Sequence, residues 1–221
     1  MQRYPVTIAV PSRRRLRPCA IAVAGLLAAG CTHTVVAPDE PARPVSAFLL
    51  DHGRHASLVV PAEQGLTRYA YGDWSYYARN RTGPLRASGT LLGSNRAGLG
   101  RRRVPGDAAL DAVRRRVRVP VEAAWRIEVA GARATALARR LDRIFRQQAR
   151  SRIDNPRYDL EFVHHPAPYN VGHNSNHVTG EWLRALGCRV RMRGPFSAWR
   201  VRGASAVEAR RSPATAPGPS R

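Results

Sequence analysis

Lysine is absent from this 221-residue chain: all 37 basic residues are arginine, against only 15 Asp and Glu, for a formal charge of +22. An arginine-only chain that is also rich in alanine and proline reads as a compositional bias of its coding sequence rather than as a tuned basic face. No zinc-ligand spacing, helix-turn-helix pattern or aromatic–basic RNA motif accompanies the charge, so no nucleic-acid partner is expected. Cysteine is scarce as well, at three residues. Long hydrophobic runs are missing. The apolar stretch Ala20–Ala29 is too short for a permanent membrane-spanning helix of about 20 residues. Aromatics are few but, beyond residue 30, spread from Phe48 to Trp199, and with 43% hydrophobic residues they are enough for one core.

What is present begins with a targeting pattern. Ser12-Arg13-Arg14-Arg15-Leu16-Arg17 is a positive n-region, and Ala20–Ala29 has the length of a signal h-region. The paired arginines resemble a twin-arginine export signal, which leaves the translocon open between the general and twin-arginine routes. Leu27-Ala28-Ala29-Gly30-Cys31 resembles the lipobox of bacterial lipoproteins, with Cys31 as the lipidation site. The resemblance implies a cell-envelope protein anchored through lipid on Cys31. Thr32 after that cysteine resembles the outer-membrane-sorted majority, facing the periplasm. Removing residues 1–30 takes away five arginines and no acid, so the charge falls from +22 to +17. That balance favours anionic lipid headgroups or acidic wall polymers as partners. Cys19 leaves with the signal and Cys31 takes lipid, so Cys188 has no intrachain disulfide partner.

The remaining chain divides into a Pro-rich tether at 31–44, a domain at 45–203 and a disordered tail at 204–221. Val45–Leu50 and Ala56–Val60 read as a strand pair turning at Gly53, and Thr67–Tyr71 as a third strand. Trp74–Ala78 reads as a short helix capped by Asp73. Arg101–Arg103 and Arg114–Arg116 read as solvated faces. Trp125–Val129 alternates as a half-buried strand. Ala134, Leu137, Leu141, Ile144 and Phe145 form one apolar helical stripe opposite Arg139, Arg140, Asp142 and Arg143. Tyr158–Val163 is a further strand, Asn176–Leu186 a second helix stopped by Gly187, and Ala198–Val201 a strand closing the sheet. The expected class is α+β: a small antiparallel sheet packed by helices.

Reactive side chains concentrate at Asp51-His52-Gly53-Arg54-His55 and at Tyr169 to His177. A nucleophile on the first turn of a helix gains from free N–H groups and the helix dipole, and a histidine from a neighbouring strand can serve as its base. The stretches Asp51 to Pro61, Tyr71-Gly72-Asp73-Trp74-Ser75-Tyr76-Tyr77 and Asn174-Ser175-Asn176-His177 through Gly187 resemble three ordered motifs of one family. It comprises bacterial lipoproteins related to the circularly permuted papain-like hydrolases of the NlpC type, the group that includes lecithin retinol acyltransferase. The resemblance covers about residues 45–190. It implies a permuted papain-like architecture with His55 as base, Ser175 in the nucleophile position and Asp73 as orienting acid. Asn174, Asn176 and Tyr71 flank these groups as substrate-binding candidates. The implied activity is hydrolysis or transfer at amide or acyl bonds of cell-wall or lipid material, with no cofactor.

The chain departs from that family at two positions, with Ser175 where the family carries cysteine and Arg54 where it carries tryptophan. A serine hydroxyl is far less acidic than a thiol and needs a well-placed base. Three readings follow: a serine-using hydrolase or acyltransferase, a catalytically inactive envelope-binding module, or a metal-binding histidine cluster. Bland roles stand beside each one. Ser175 fits a helix N-cap, His55 a half-buried strand histidine, Asp73 a cap, and Cys188 a small core residue. His164, His165, His173 and His177 match no tetrahedral ligand spacing, so no metal site is assigned.

Overall fold

The computed structural model describes residues 32–63, 65–80, 96–170, 172–193, 198–203 and 206–210. The signal expected at 1–30, the lipidation expected at Cys31 and the end of the expected tail at 211–221 lie outside the described residues. Among the described residues, no helix is long and apolar enough to cross a membrane.

The chain enters on β1 (Thr32–Val36), followed by β2 (Pro44–Asp51), β3 (Ala56–Ala62) and β4 (Gly65–Asp73). A single π-helical turn, Trp74–Ala78, ends this run. Next come β5 (Ala97–Val104), helix α1 (Leu110–Arg116), β6 (Ala123–Ala130) and the long helix α2 (Gly131–Gln147). A short 3-10 turn precedes β7 (Ile153–Asn155) and β8 (Leu160–His165); helix α3 (Ser175–Ala185) and strands β9 (Arg189–Arg191), β10 (Ala198–Arg202) and β11 (Ala206–Arg210) complete the order.

The α+β class holds, but the sheet is not small. Eight strands run β11-β6-β2-β3-β4-β5-β8-β7 with every pairing antiparallel. Strand alternation splits it into two packed faces. Leu58, Val60, Tyr69, Tyr71 and Leu99 share one core with α2 and α3. Val59, Leu66 and Val104 face the other way, onto Leu110 and Val113 of α1. Helix α2 buries Ala134, Leu137, Leu141 and Phe145, the stripe read from the sequence, and exposes Arg139, Arg140 and Arg143.

Two expected boundaries are corrected. Residues 32–36 are not tether: β1 lies between β10, parallel, and β9, antiparallel, in a separate three-stranded sheet. His33 and Val35 are fully buried there, and the alternation Thr-His-Thr-Val-Val supplies an inward face that prolines further on disguise. For the same reason Ala198–Arg202 does not close the main sheet but flanks β1. The expected tail likewise holds a strand, since β11 pairs with β6 from Ala206↔Ile127 to Arg210↔Ala123. Arg101–Arg103 is not simply a solvated face either. It lies in β5, where Arg101 stands 3.9 Å over the Phe145 ring and 3.0 Å from Asp142, while Arg102 reaches Asp154 and Asp159. Arg114–Arg116 closes α1 with Arg115 and Arg116 exposed, which suits a helix C-terminus.

Because β1 is a working strand, its sheet carries part of the stability. Trp199 is 3% exposed and packs on the His33 ring at 4.8 Å. Trp199→Ala is expected to cost about 3–5 kcal/mol, and to lower Tm by roughly 10 °C in a chain of this size. Thermal and urea unfolding of the full chain check this; a change within error would return residues 32–36 to the role of a loose leader.

Candidate functional site

The residues expected to act together fall into two clusters around the end of β4. The first gathers on the sheet face that α1 covers. Arg68, two positions from Leu66 on β4, points its guanidinium into this layer and is 1% exposed. Its Nε donates to the Ser57 hydroxyl at 3.0 Å and its Nη1 to the Tyr158 carbonyl at 3.2 Å. His52 completes the network, with Nδ1 2.7 Å from the Pro120 carbonyl and Nε2 2.9 Å from Ser57 Oγ. The carbonyl can only accept, so Nδ1 carries the proton and Nε2 accepts from Ser57. His55 stacks on His52 at 4.9 Å and meets Tyr77 edge-on at 5.3 Å. Gly72 makes room for this arrangement, since a Cβ there would run into the Tyr77 ring.

Electrostatics keep both imidazoles neutral. Burial and then the Arg68 cation push His55 down to about 4. Burial, Arg68 and His55 hold His52 well below the ordinary histidine range, against the opposing pull of the Pro120 carbonyl. Arg68 itself is lowered to about 10 by burial, with Arg102 adding to the shift and Asp159 opposing it, and so stays charged at neutral pH.

The second cluster sits on the opposite face, at the amino end of α3. Asn174 is the N-cap: its side-chain oxygen accepts from the Asn176 and His177 N–H groups at 3.0 and 3.1 Å, and from His177 Nδ1 at 3.0 Å. The capping role read for Ser175 therefore belongs one residue earlier, and Ser175 opens the helix proper. Ser175 stands beside the Tyr169 phenol and pulls downward on a pKa that burial and then Asp73 shift up to about 12. Tyr169 stacks on Tyr71 at 6.0 Å, and the Tyr71 hydroxyl donates to the Pro168 carbonyl at 2.9 Å. Asn174, Ser175 and Asn176 are each 3% exposed or less.

Asp73 lies between the clusters and acts electrostatically on both Tyr77 and Tyr169. One of its oxygens accepts from Tyr76 N–H at 2.7 Å, as the capping role requires; the other is buried without a hydrogen-bond partner. Among the described residues, no hydrogen bond links His55, Ser175 and Asp73. Nor do two cavities reach them: one of about 180 Å³ is lined by Glu63, Arg139, Asp142 and Arg146, another of about 420 Å³ by Asp111, Arg114 and Pro120.

Of the four histidines weighed as metal ligands, none joins a group of three ligating side chains among the described residues. His165 Nδ1 accepts from Ala167 N–H, and His173 shares the Pro168 carbonyl with Tyr71. Cys188 is buried, and its thiol is pushed up to about 12 by that burial, as a small core residue should be. Sequence reading gave no role to Ser57 or Arg68 and took Tyr169 only as the start of a reactive stretch. Arg68 carried a usable signal, since it occupies an inward position of an otherwise apolar strand.

No family model, curated protein or solved structure matches this chain.

The buried neutral histidines set an acid limit. His33 is also down at about 4, from burial and then His177. A histidine near 4 in the fold and near 6.5 unfolded adds nothing above pH 6.5. Below it the unfolded chain takes up the protons, and stability is lost as pH falls from 6.5 toward 4. Unfolding free energies from urea titrations are expected to drop over that window, by up to about 3 kcal/mol for each such group. His33→Phe, which keeps a ring against Trp199, is expected to flatten the slope; an unchanged slope would remove His33 from the account.

Proposed function

We propose that the chain is a lipid-anchored envelope protein whose domain binds cell-envelope material without turning it over, an inactive relative of the permuted papain-like hydrolases it resembles. Supporting this reading above the hydrolase or acyltransferase is the place of Tyr169. A helix N-terminus serves acyl chemistry by offering its N–H groups to a developing oxyanion. Here the buried Tyr169 phenol stands beside Ser175 at that helix end. The base position is also spoken for, because His55 is packed among His52, Tyr77 and Arg68 rather than against the serine. A serine nucleophile without a base within reach is inert at neutral pH. The charge of +17 beyond residue 30 suits acidic wall polymers and headgroups as the material bound.

The test uses the full chain. Fluorophosphonate is expected to leave Ser175 unlabelled, and Ser175→Cys to react with an acylating thiol probe at least about tenfold more slowly than a free thiol. Adding Tyr169→Ala to Ser175→Cys is expected to raise that reactivity. Purified peptidoglycan is expected to bind the protein without release of soluble fragments. Rapid labelling of Ser175, or fragment release that Ser175→Ala abolishes, would overturn the reading in favour of an enzyme.

A further inference from the structure

The three-stranded sheet buries one face and leaves the other open, and the open face is arginine. Alternation fixes which residues share it. In β1, His33 and Val35 are buried while Thr32, Thr34 and Val36 face outward. In β9, Arg189 and Arg191 are exposed around the half-buried Val190; in β10, Arg200 and Arg202 are exposed around Trp199 and Val201. Directly paired residues point to the same side of a sheet. The register gives two rows, Arg191–Thr34–Arg200 and Arg189–Val36–Arg202. Strand spacing places the two arginines of a row about 10 Å apart, and the rows about 7 Å apart. Exposed Arg193 continues beyond Arg191, its backbone N–H held by His33 Nδ1 at 3.0 Å. Among the described residues, none of these five arginines forms an ion pair with an acid.

The middle strand of that face begins at Thr32, one residue after Cys31. A peptide unit advances at most about 3.6 Å, so acyl chains on Cys31 would hold the bilayer surface against this end of the sheet. We infer that the Arg189, Arg191, Arg200 and Arg202 face lies on the anionic phospholipid headgroups of the membrane that holds the lipid on Cys31, and so sets the orientation of the whole domain. The inference rests on the lipid-anchor part of the proposed function. One acyl anchor and one basic patch are the two signals that together give stable membrane attachment. Occupation by anionic lipid also explains an arrangement otherwise costly to keep: like charges in cross-strand rows repel when nothing lies over them.

The experiment places an environment-sensitive fluorophore at Thr34→Cys on this face, and in a second protein at Ala108→Cys, an exposed site before α1 on the far layer. Cys188 is buried and does not compete for the label. The acylated full-length protein is reconstituted in vesicles of phosphatidylethanolamine and phosphatidylglycerol, or of phosphatidylcholine alone, each containing a headgroup-quencher lipid. The expected result is quenching at position 34 about threefold above that at position 108 in the anionic vesicles, a difference that shrinks in neutral vesicles and in 1 M salt, where the screening length is about 3 Å. R191Q with R200Q is expected to reduce the difference while leaving the protein on the vesicles. Equal quenching at both positions in acylated protein would overturn the orientation but leave the anchor intact. Loss of the position-34 signal to added acidic wall polymer would assign the face to that polymer instead. Mass spectrometry showing an unmodified Cys31 would overturn the anchor and this inference together, a failure distinct from either of the others.

Discussion

A cation buried inside the main sheet governs the chemistry of the candidate site. Arg68 is 1% exposed, and among the described residues no carboxylate stands within ion-pair distance of it. A charge in that position is costly unless hydrogen bonds replace its water. Ser57, the Tyr158 carbonyl and His52 supply them. A second positive charge beside it is then strongly disfavoured, which is why burial and Arg68 together hold His52 and His55 neutral. An imidazole held near 4 is a weak base, and one packed between two rings cannot swing to a distant hydroxyl. In the proposed reading, the same guanidinium makes His55 a poor proton acceptor for Ser175.

The opposite cluster reaches an equivalent end by another route. Helix α3 begins with Asn174 as cap, and the cap satisfies the Asn176 and His177 N–H groups. Ser175, the next residue, lies beside the buried Tyr169 phenol. Tyr169 arrives there because the segment from Pro166 to His173 folds back on itself through the Tyr71 hydroxyl and the Asn170–His173 bridge. Among the described residues, Asp73 and the rings of Tyr77 and Tyr169 link the two clusters electrostatically, while no hydrogen bond joins His55 to Ser175.

Local patterns in the sequence carried the elements whose burial is one-sided. Helix α2 was legible from its stripe, and β2, β3, β4 and β6 from β-branched and aromatic runs. The elements that escaped were those whose signal arginine masks. In β5 the run Arg101-Arg102-Arg103 alternates in role rather than in polarity: one arginine covers Phe145, the next pairs with Asp154, and the third is exposed. Long arginine stems bury as apolar matter while their heads reach acids, so a binary pattern misreads them. Strand β1 was obscured by Pro38, Pro41 and Pro44 just beyond it, and β9 by its length of three residues. Ser175 and His55 were legible as a motif; what no local pattern could give was the face of the sheet on which each lands. That depends on Arg68 and Tyr169, which belong to no motif.

The place of β1 changes the physics of attachment. A flexible tether of 13 residues, 32–44, would hold the domain at a root-mean-square distance of about 20 Å from the anchor. At physiological ionic strength charges are screened over about 8 Å, so at that distance an arginine face would feel little of the membrane and the domain would tumble freely. With the strand starting at Thr32, the first arginines of the sheet flank Thr34, three residues or about 10 Å from the proposed lipid site Cys31 and close to one screening length. Their attraction then acts at close range, and each basic group near an anionic surface contributes about 1 kcal/mol. Four such groups on one flat face exceed thermal energy several times over, which is enough to select one orientation. The clusters on either side of β4 would then be presented at a constant height and angle, a condition that a binding module profits from and a tethered, tumbling domain lacks.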